Sequence, residues 1–446
     1  MTGTRAGGAG MAAAGPPAPP PAELRPPRAL DPLKERNYRL FFIGNVTSNM
    51  GTFCQSIAQS LLVYQLTGST FLVGVVNFAQ FAAVPVLAPA AGAAADRFDR
   101  RRLLIVTQVA AFGVAAVLTV LAAIGAAPAW VVIALAGTLG ITSAIAFPIN
   151  RTLVPALISD RNLGRAINLD SVSVNLARAL GPITGAFIVA NFGVSWAFGI
   201  NALSFLVLAA LLTAVHPQPQ AAPPAQRPRF LDGLKLVRHR PQLGLLLFIV
   251  AACAIAADPP VTLGPELAEH FGGGDTLAGV ILGCFGAGAV IGAFVAGAEA
   301  RRHHRKVAIL LGLLVLGTTI FALATHLPFA LAGTMLAGFG YLTSQTRTTT
   351  LLYRSIADSE RGRIMALWSI AFIGTRPLAS LVDGLIGSAI GVRTAALVMA
   401  VPAAIACGLS VVADRRSLRG ASAPQGAAGA VSSTPSAASA STRARS

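Results

Sequence analysis

Two arginines and three aspartates interrupt stretches of sequence that are otherwise apolar. Arg178 and Arg376 each fall about 18 Å into an apolar run, counted at 1.5 Å per helical residue. An arginine at the centre of a bilayer costs about 2.5–3.5 kcal/mol on insertion scales, so each needs a carboxylate, water or an anionic ligand. Asp258 immediately precedes Pro259-Pro260, where a helix must bend. Asp383 shares one helical face with Ser369, Arg376, Ser380 and Gly387. Asp170 sits nearer the end of its run. Two kinds of chemistry fit these residues. The arginines could bind an anionic substrate while Asp258 or Asp383 carries a coupling proton. Alternatively, they form permanent arginine–carboxylate bolts between helices. The residues alone leave both open.

A second polar pattern runs through the first apolar segment. Asn45, Ser48, Asn49, Thr52, Gln55, Ser56 and Gln59 lie within roughly 120° of one another at 100° per residue. A stripe this polar does not face lipid. It lines a central aqueous cavity or makes hydrogen bonds between helices. Asn77 and Gln80, about one turn apart, extend it. Other chemistry is poorly supported. No GxxxxGK[ST] loop is present, which argues against an ATP-driven pump. His303-His304 reads as part of a solvated basic loop, not a metal site. Cys54, Cys253, Cys284 and Cys407 each lie in an apolar run without a CxxC pair and read as small buried hydrophobes. Neither an enzyme, a metal nor a cofactor is expected.

The elements that must position these residues follow from composition. The chain has 446 residues, of which 54% are hydrophobic and only 11% charged. Soluble domains carry about 25% charged residues. A chain this apolar would expose adhesive patches in water, whereas a bilayer solvates them. Apolar runs long enough to span recur at 38–65, 71–95, 103–124, 130–150, 166–190 and 195–215, then at 242–267, 276–298, 307–325, 329–348, 364–389 and 392–413. The expected organisation is a disordered tail over 1–32, a six-helix bundle over 33–215, a Pro- and Arg-rich linker over 216–241, a second bundle over 242–413, and a disordered Ser/Ala-rich tail over 414–446. No cleavable signal peptide is visible, so the first spanning helix would serve as the insertion signal.

The charge supports twelve spans. The net charge is +17, and all but three of the 34 Lys and Arg fall in the tails or in alternate loops. Of those three, only Arg393 falls in a loop on the other side. The positive-inside rule then puts both termini in the cytoplasm. It also explains the basicity without nucleic acid. The halves look related as well. When Gly164-Arg165 is superposed on Gly362-Arg363, Ser171 falls on Ser369 and Arg178 on Arg376. Parallel half-repeats mark one large transporter class.

The loop after the second run reads Gly92, three alanines, Asp96, Arg97, Phe98, Asp99 and then Arg100-Arg101-Arg102. This resembles the signature loop of the major facilitator superfamily. The run at 166–190 carries Arg178-Ala-Leu-Gly181-Pro182-Ile-Thr-Gly185, which resembles the Gly-Pro-x-x-Gly element of its drug–proton antiporters. The chain is similar to the branch that includes the enterobactin exporter and related efflux proteins, over residues 33–413. Three departures stand out. Asp99 occupies a position that is often Gly. Segment 135–141 also lacks the charged Arg-x-x-x-Gly element of many proton antiporters, so coupling does not transfer through that residue. The second-half counterpart of the loop, from Gly297 to Arg302, is degenerate.

The resemblance implies an all-α membrane fold, with twelve transmembrane helices in two pseudo-symmetric six-helix bundles. It implies that Gly92, Asp96, Arg97 and Arg101 form a conformational latch. Arg178, Gly181, Pro182 and Gly185 form a helix-bend element. Plain anchoring of loop arginines and small-residue packing are the respective alternatives. The cavity lining is expected from Asn45, Asn49, Thr52, Gln55, Gln59, Asn77, Gln80, Arg376 and Ser380, with Asp258 and Asp383 as proton-coupling candidates. The expected function is secondary active export of a siderophore, drug or metabolite by alternating access, through proton antiport. Uptake or uniport, or a non-transporting membrane scaffold or sensor, are the alternatives. Expected partners are an anionic or lipophilic small molecule, protons and the bilayer, with the protein a monomer in the inner or plasma membrane.

Overall fold

The computed structural model describes residue 3 and residues 30–217, 230–297 and 304–421. Most of both tails, part of the linker, and Arg301, Arg302 and His303 lie outside the described residues. A short 3-10 turn, Asp31–Lys34, leads into α1 (Arg36–Thr67). The first half continues with α2 (Thr70–Arg97), α3 (Arg100–Ala123), α4 (Ala129–Leu153), α5 (Asp160–Phe192) and α6 (Val194–Thr213). Next come α7 (Phe230–His239) and α8 (Pro241–Ala256), then the short α9 (Pro259–Thr262) and α10 (Gly264–His270). The chain ends with α11 (Asp275–Gly297), α12 (His304–Leu323), α13 (Leu327–Arg354), α14 (Asp358–Ser369), α15 (Thr375–Ile390) and α16 (Val392–Ala421).

Helix ends differ from the hydropathy reading for a physical reason. Hydropathy registers only the apolar middle of a helix, and charged first and last turns continue beyond it. Thus α5 begins at Asp160, α13 runs to Arg354 and α16 runs to Ala421, into the expected tail. The segment expected at 242–267 is broken into α8, α9 and α10. Pro259 and Pro260 lack the backbone donors needed to continue α8. The segment expected at 364–389 is interrupted by a π-helical turn, Ile370–Gly374. The linker contains an amphipathic helix, α7, that was not foreseen.

Eleven helices among the described residues are long and apolar enough to cross a membrane. α1 is not among them. Its 32 residues would reach about 48 Å at 1.5 Å per residue, ample for a bilayer core of about 30 Å. Its shortfall is apolarity, and the polar stripe causes it. α1 is instead packed among α2, α5 and α6, where its polar side chains meet protein rather than lipid. The peripheral helices do the opposite. Val106, Val117 and Val120 on α3 and Val401, Ile405 and Val412 on α16 point outward. They form an apolar exterior suited to acyl chains.

The halves meet chiefly through two reciprocal pairs, α2 with α15 and α5 with α11. Each joins the second spanning helix of one half to the fifth of the other, as an exchange of equivalent helices between repeats would produce. Small residues bring the helices of each pair close. A Cβ built on Gly384 would lie 2.6 Å from the Thr70 carbonyl oxygen and 3.2 Å from Gly74 Cα. A Cβ on Gly74 would strike the Ser380 carbonyl oxygen. On the second pair, a Cβ on Gly279 would strike Ala186, and one on Gly283 would come within 3.0 Å of Ile183.

Candidate transport site

The break between α8 and α9 leaves Asp258 at a helix end rather than inside a continuous helix. The residue is 4% exposed. Thr262 Oγ1 donates to Oδ2 at 2.7 Å, and Ser380 Oγ donates to Oδ1 at 2.7 Å. Asp383 follows Ser380 by one turn of α15 and is fully buried. Neither of its oxygens has a donor among the described residues. Its charge and that of Asp258 act on each other. Arg376, on the first turn of α15, acts electrostatically on Asp258. Two carboxylates are thus set against each other, with hydroxyl donors on one and none on the other.

Arg178 projects from α5 toward the second half. Its guanidinium carbon lies 5.7 Å from the Phe53 ring centroid and 5.4 Å from that of Phe372. These are cation–π distances. Phe372 belongs to the π-helical turn, and Trp368 stacks on it at 5.1 Å. Tyr341 of α13 and Arg376 complete the electrostatic surroundings of Arg178. Among the described residues Arg178 has no carboxylate partner, so aromatic faces hold it rather than an ion-pair bolt. Among the described residues its Nε has no hydrogen-bond partner. Sequence reasoning missed Phe53, Phe372 and Tyr341. No signal could have found them, since aromatics are unremarked in apolar helices and the π turn has no sequence mark.

Hydrogen bonds divide the α1 stripe among several neighbours. Asn45 Nδ2 donates to Asp170 of α5 at 2.8 Å. Gln55 Oε1 accepts from Asn201 of α6 at 2.7 Å. Ser56 donates to Gln80 of α2 at 3.1 Å, and Asn77 of α2 pairs with Ser60 at 3.3 Å. Thr52 returns its hydroxyl to the Ser48 carbonyl. Most of the stripe therefore ties α1 to its own half. Gln59 is the exception. It is fully buried, and among the described residues both ends of its amide lack a partner, as do both ends of Gln345 on α13. Asn49 is partly buried.

The signature loop resolves into helix caps. Asp99 closes the start of α3 by accepting from Arg102 N at 2.7 Å. Arg101 Nε donates to the Leu212 carbonyl at 2.7 Å, and its second nitrogen reaches the Thr213 carbonyl. It thereby caps the negative end of α6 within the first half. The side-chain surroundings of Gly92, Asp96 and Arg97 lie outside the described residues. The Gly-Pro-x-x-Gly element lies against α1. A Cβ on Gly181 would sit 3.2 Å from the Met50 carbonyl oxygen, and one on Gly185 would sit 2.6 Å from that of Cys54. Pro182 lies inside α5.

At the end of the bundle away from the chain's first helical residues, the halves are joined by hydrogen bonds. Tyr64 donates to Glu269 at 2.9 Å, and Gln65 donates to Asp275. Burial pushes the nearby Glu266 carboxyl above the usual range, and the Glu269 charge adds to this. At the other end, Glu35 accepts from Ser159 N, Ser159 Oγ and Asn162 Nδ2 at 2.7–2.9 Å. Burial raises its carboxyl, but these bonds outweigh burial and leave it below its ordinary value.

Comparison with known proteins agrees with this architecture. A bacterial homologue of the human lysosomal transporter Spinster, solved inward-facing, superposes with a TM-score of 0.69 at 14% identity, covering 87% of this chain and 98% of that one. The nucleoside transporter NupG gives 0.66 at 14% identity, over 84% and 98%. Two six-helix bundles joined through reciprocal helix pairs are thus the fold shared with these solved transporters, and the family match over residues 28–427 makes the chain a multi-pass major facilitator transporter. A family model described as transmembrane secretion effector matches residues 28–427, and the chain belongs to that family. Among curated relatives, the enterobactin exporter EntS of Shigella boydii serotype 4 (strain Sb227) is 26% identical over 348 residues, covering 74% of this chain and 80% of the relative. EntS of Escherichia coli O139:H28 (strain E24377A / ETEC) matches with the same identity and coverage.

Proposed function

We propose that this transporter exports a small molecule from the cell by alternating access, in exchange for protons carried by the Asp258–Asp383 pair. The carrying observation is that two buried carboxylates act on each other while, among the described residues, only Asp258 receives hydrogen bonds. Like charges so placed are relieved by one proton held between them. Losing that proton leaves a surplus negative charge that Arg376 offsets only in part, which favours rearrangement of α15 against α8. The π-helical turn before α15 supplies a segment able to change its backbone pairing. Arg178, flanked by aromatic rings and with no carboxylate partner among the described residues, suits a substrate with an anionic group. The positive-inside pattern supports cytoplasmic termini in the inner membrane. On that orientation, the Tyr64–Glu269 and Gln65–Asp275 bonds close the outer side. Export as the direction is supported by what the EntS relatives are named for.

Proteoliposomes loaded with enterobactin, and separately with a panel of lipophilic drugs, test this under an imposed pH gradient. Gradient-driven flux of at least one compound is expected. Asp258→Asn and Asp383→Asn should each abolish the gradient dependence while thermal unfolding stays cooperative. Parent rates in both variants would remove the carboxylate assignment. Flux that ignores the gradient would remove proton exchange and leave a uniporter.

A further inference from the structure

The linker helix α7 has two faces. Gly233, Leu236 and Val237 turn inward, and a Cβ on Gly233 would lie 3.2 Å from both the Arg363 carbonyl oxygen and Leu367 Cδ1 of α14. Leu236 and Val237 pack on the core of the second half. Just after the helix, Arg240 pairs with Glu360 of α14 at 3.0 Å. This face is built for the protein. The opposite face carries Leu234, Lys235, Arg238 and His239, all exposed, with Leu234 at 52%. At 100° per residue these four fall within about 140° of one another. Among the described residues nothing covers them.

The position of α7 decides what does. One residue, Arg240, separates its end from Pro241, where the apolar α8 span begins, and its Gly233 abuts Arg363 of α14. α7 therefore adjoins the start of the apolar α8 span, the level at which a bilayer-crossing helix meets the headgroups. A helix there with an exposed leucine beside lysine and arginine matches the composition of an interfacial helix. Arg227 and Arg229 stand just before it in the sequence. We infer that the exposed face of α7 is a binding site for anionic phospholipid headgroups, with Leu234 entering the acyl boundary and Lys235 and Arg238 holding the phosphates. Because α7 is fixed to α14 by the Gly233 contact and the Arg240–Glu360 pair, a lipid bound there would brace the helix leading to the π turn and Arg376. The site is independent of what the transporter carries.

Fluorescence quenching by brominated lipid tests the assignment on the full chain. The three tryptophans are replaced by Trp130→Phe, Trp196→Phe and Trp368→Phe, and a reporter is introduced by Leu234→Trp. The protein is reconstituted in phosphatidylcholine vesicles containing a minor fraction of phosphatidylglycerol. Bromine is carried either on the phosphatidylglycerol or on an equal amount of the phosphatidylcholine. An enrichment of about fivefold for each basic side chain predicts much stronger quenching from brominated phosphatidylglycerol. Molar salt should weaken that preference, and Lys235→Gln with Arg238→Gln should remove it, with quenching by phosphatidylcholine unchanged. Equal quenching by the two lipids would reduce α7 to a helix merely near the bilayer. Quenching by neither would place the face in water or under a partner protein. A preference that survives the double substitution would assign it elsewhere. Any of these three results overturns the inference.

Discussion

Gly384→Ala should act on the conformational equilibrium more than on folding. The new Cβ would meet the Thr70 carbonyl oxygen at 2.6 Å and Gly74 Cα at 3.2 Å. Ordinary contact begins at about 3.4 Å, so α2 and α15 must separate locally by several tenths of an ångström or strain to the same effect. Overpacking of this kind costs about 1–3 kcal/mol. Alanine also gains about 1 kcal/mol of helix propensity over glycine, but in the proposed alternating-access cycle α15 moves as a helix, so that gain cancels between conformations. The overpacking cost does not cancel, because it is borne where the halves touch at the Tyr64–Glu269 end. The population open at that end should rise by about 5- to 150-fold. Spin labels introduced by Leu66→Cys and Ile390→Cys, after removal of the four native cysteines, sit on exposed helix ends of opposite halves. Electron–electron double resonance should show a second, longer distance in Gly384→Ala. Gly185→Ala is the control. Its Cβ would meet Cys54 O and Ile57 Cγ2, both at 2.6 Å, within the first half. It should lower the unfolding midpoint and leave the distances alone. An unchanged distribution in Gly384→Ala, or the same shift in Gly185→Ala, would refute the reasoning.

Two further outcomes follow from hydrogen bonds at the opposite ends of the bundle. Tyr64→Phe removes the 2.9 Å bond to Glu269. Bonds to charged groups are worth about 1.5–3 kcal/mol, so partial opening on the same spin-label pair is expected; an unshifted distribution would mean that the bond does not hold the halves together. Glu35→Gln should lower the unfolding midpoint at neutral pH. The folded carboxyl lies below its ordinary 4.5, so its contribution is complete above that value and is lost as pH falls through the folded value. The gap between parent and variant should therefore close on acidification, and a pH-independent gap would contradict this origin.

The order and number of the long helices, the membrane environment and the relatedness of the halves were legible because each rests on local pattern. A run of apolar residues, alternating loop charge and a repeated Gly-Arg need no distant partner to be read. Asp258 beside two prolines was similarly visible as a bend, since proline breaks a helix wherever it stands. Residue type also marked Arg178, Arg376 and Asp383 as unusual, because the cost of a charge in hydrocarbon depends on its own chemistry. Their partners were not legible. Asp383 and Asp258 act on each other across 125 positions of chain, and Arg178 rests between aromatic rings from α1 and the π turn. The α1 stripe is the sharpest case. Its periodicity fixed that the face must avoid lipid. Only the packing of α2, α5 and α6 decided that Asn45, Gln55 and Ser56 spend their hydrogen bonds on neighbouring helices while Gln59 keeps both of its own unspent. A side chain's need for a partner is set by its type, but which partner it finds depends on which helices the fold brings alongside.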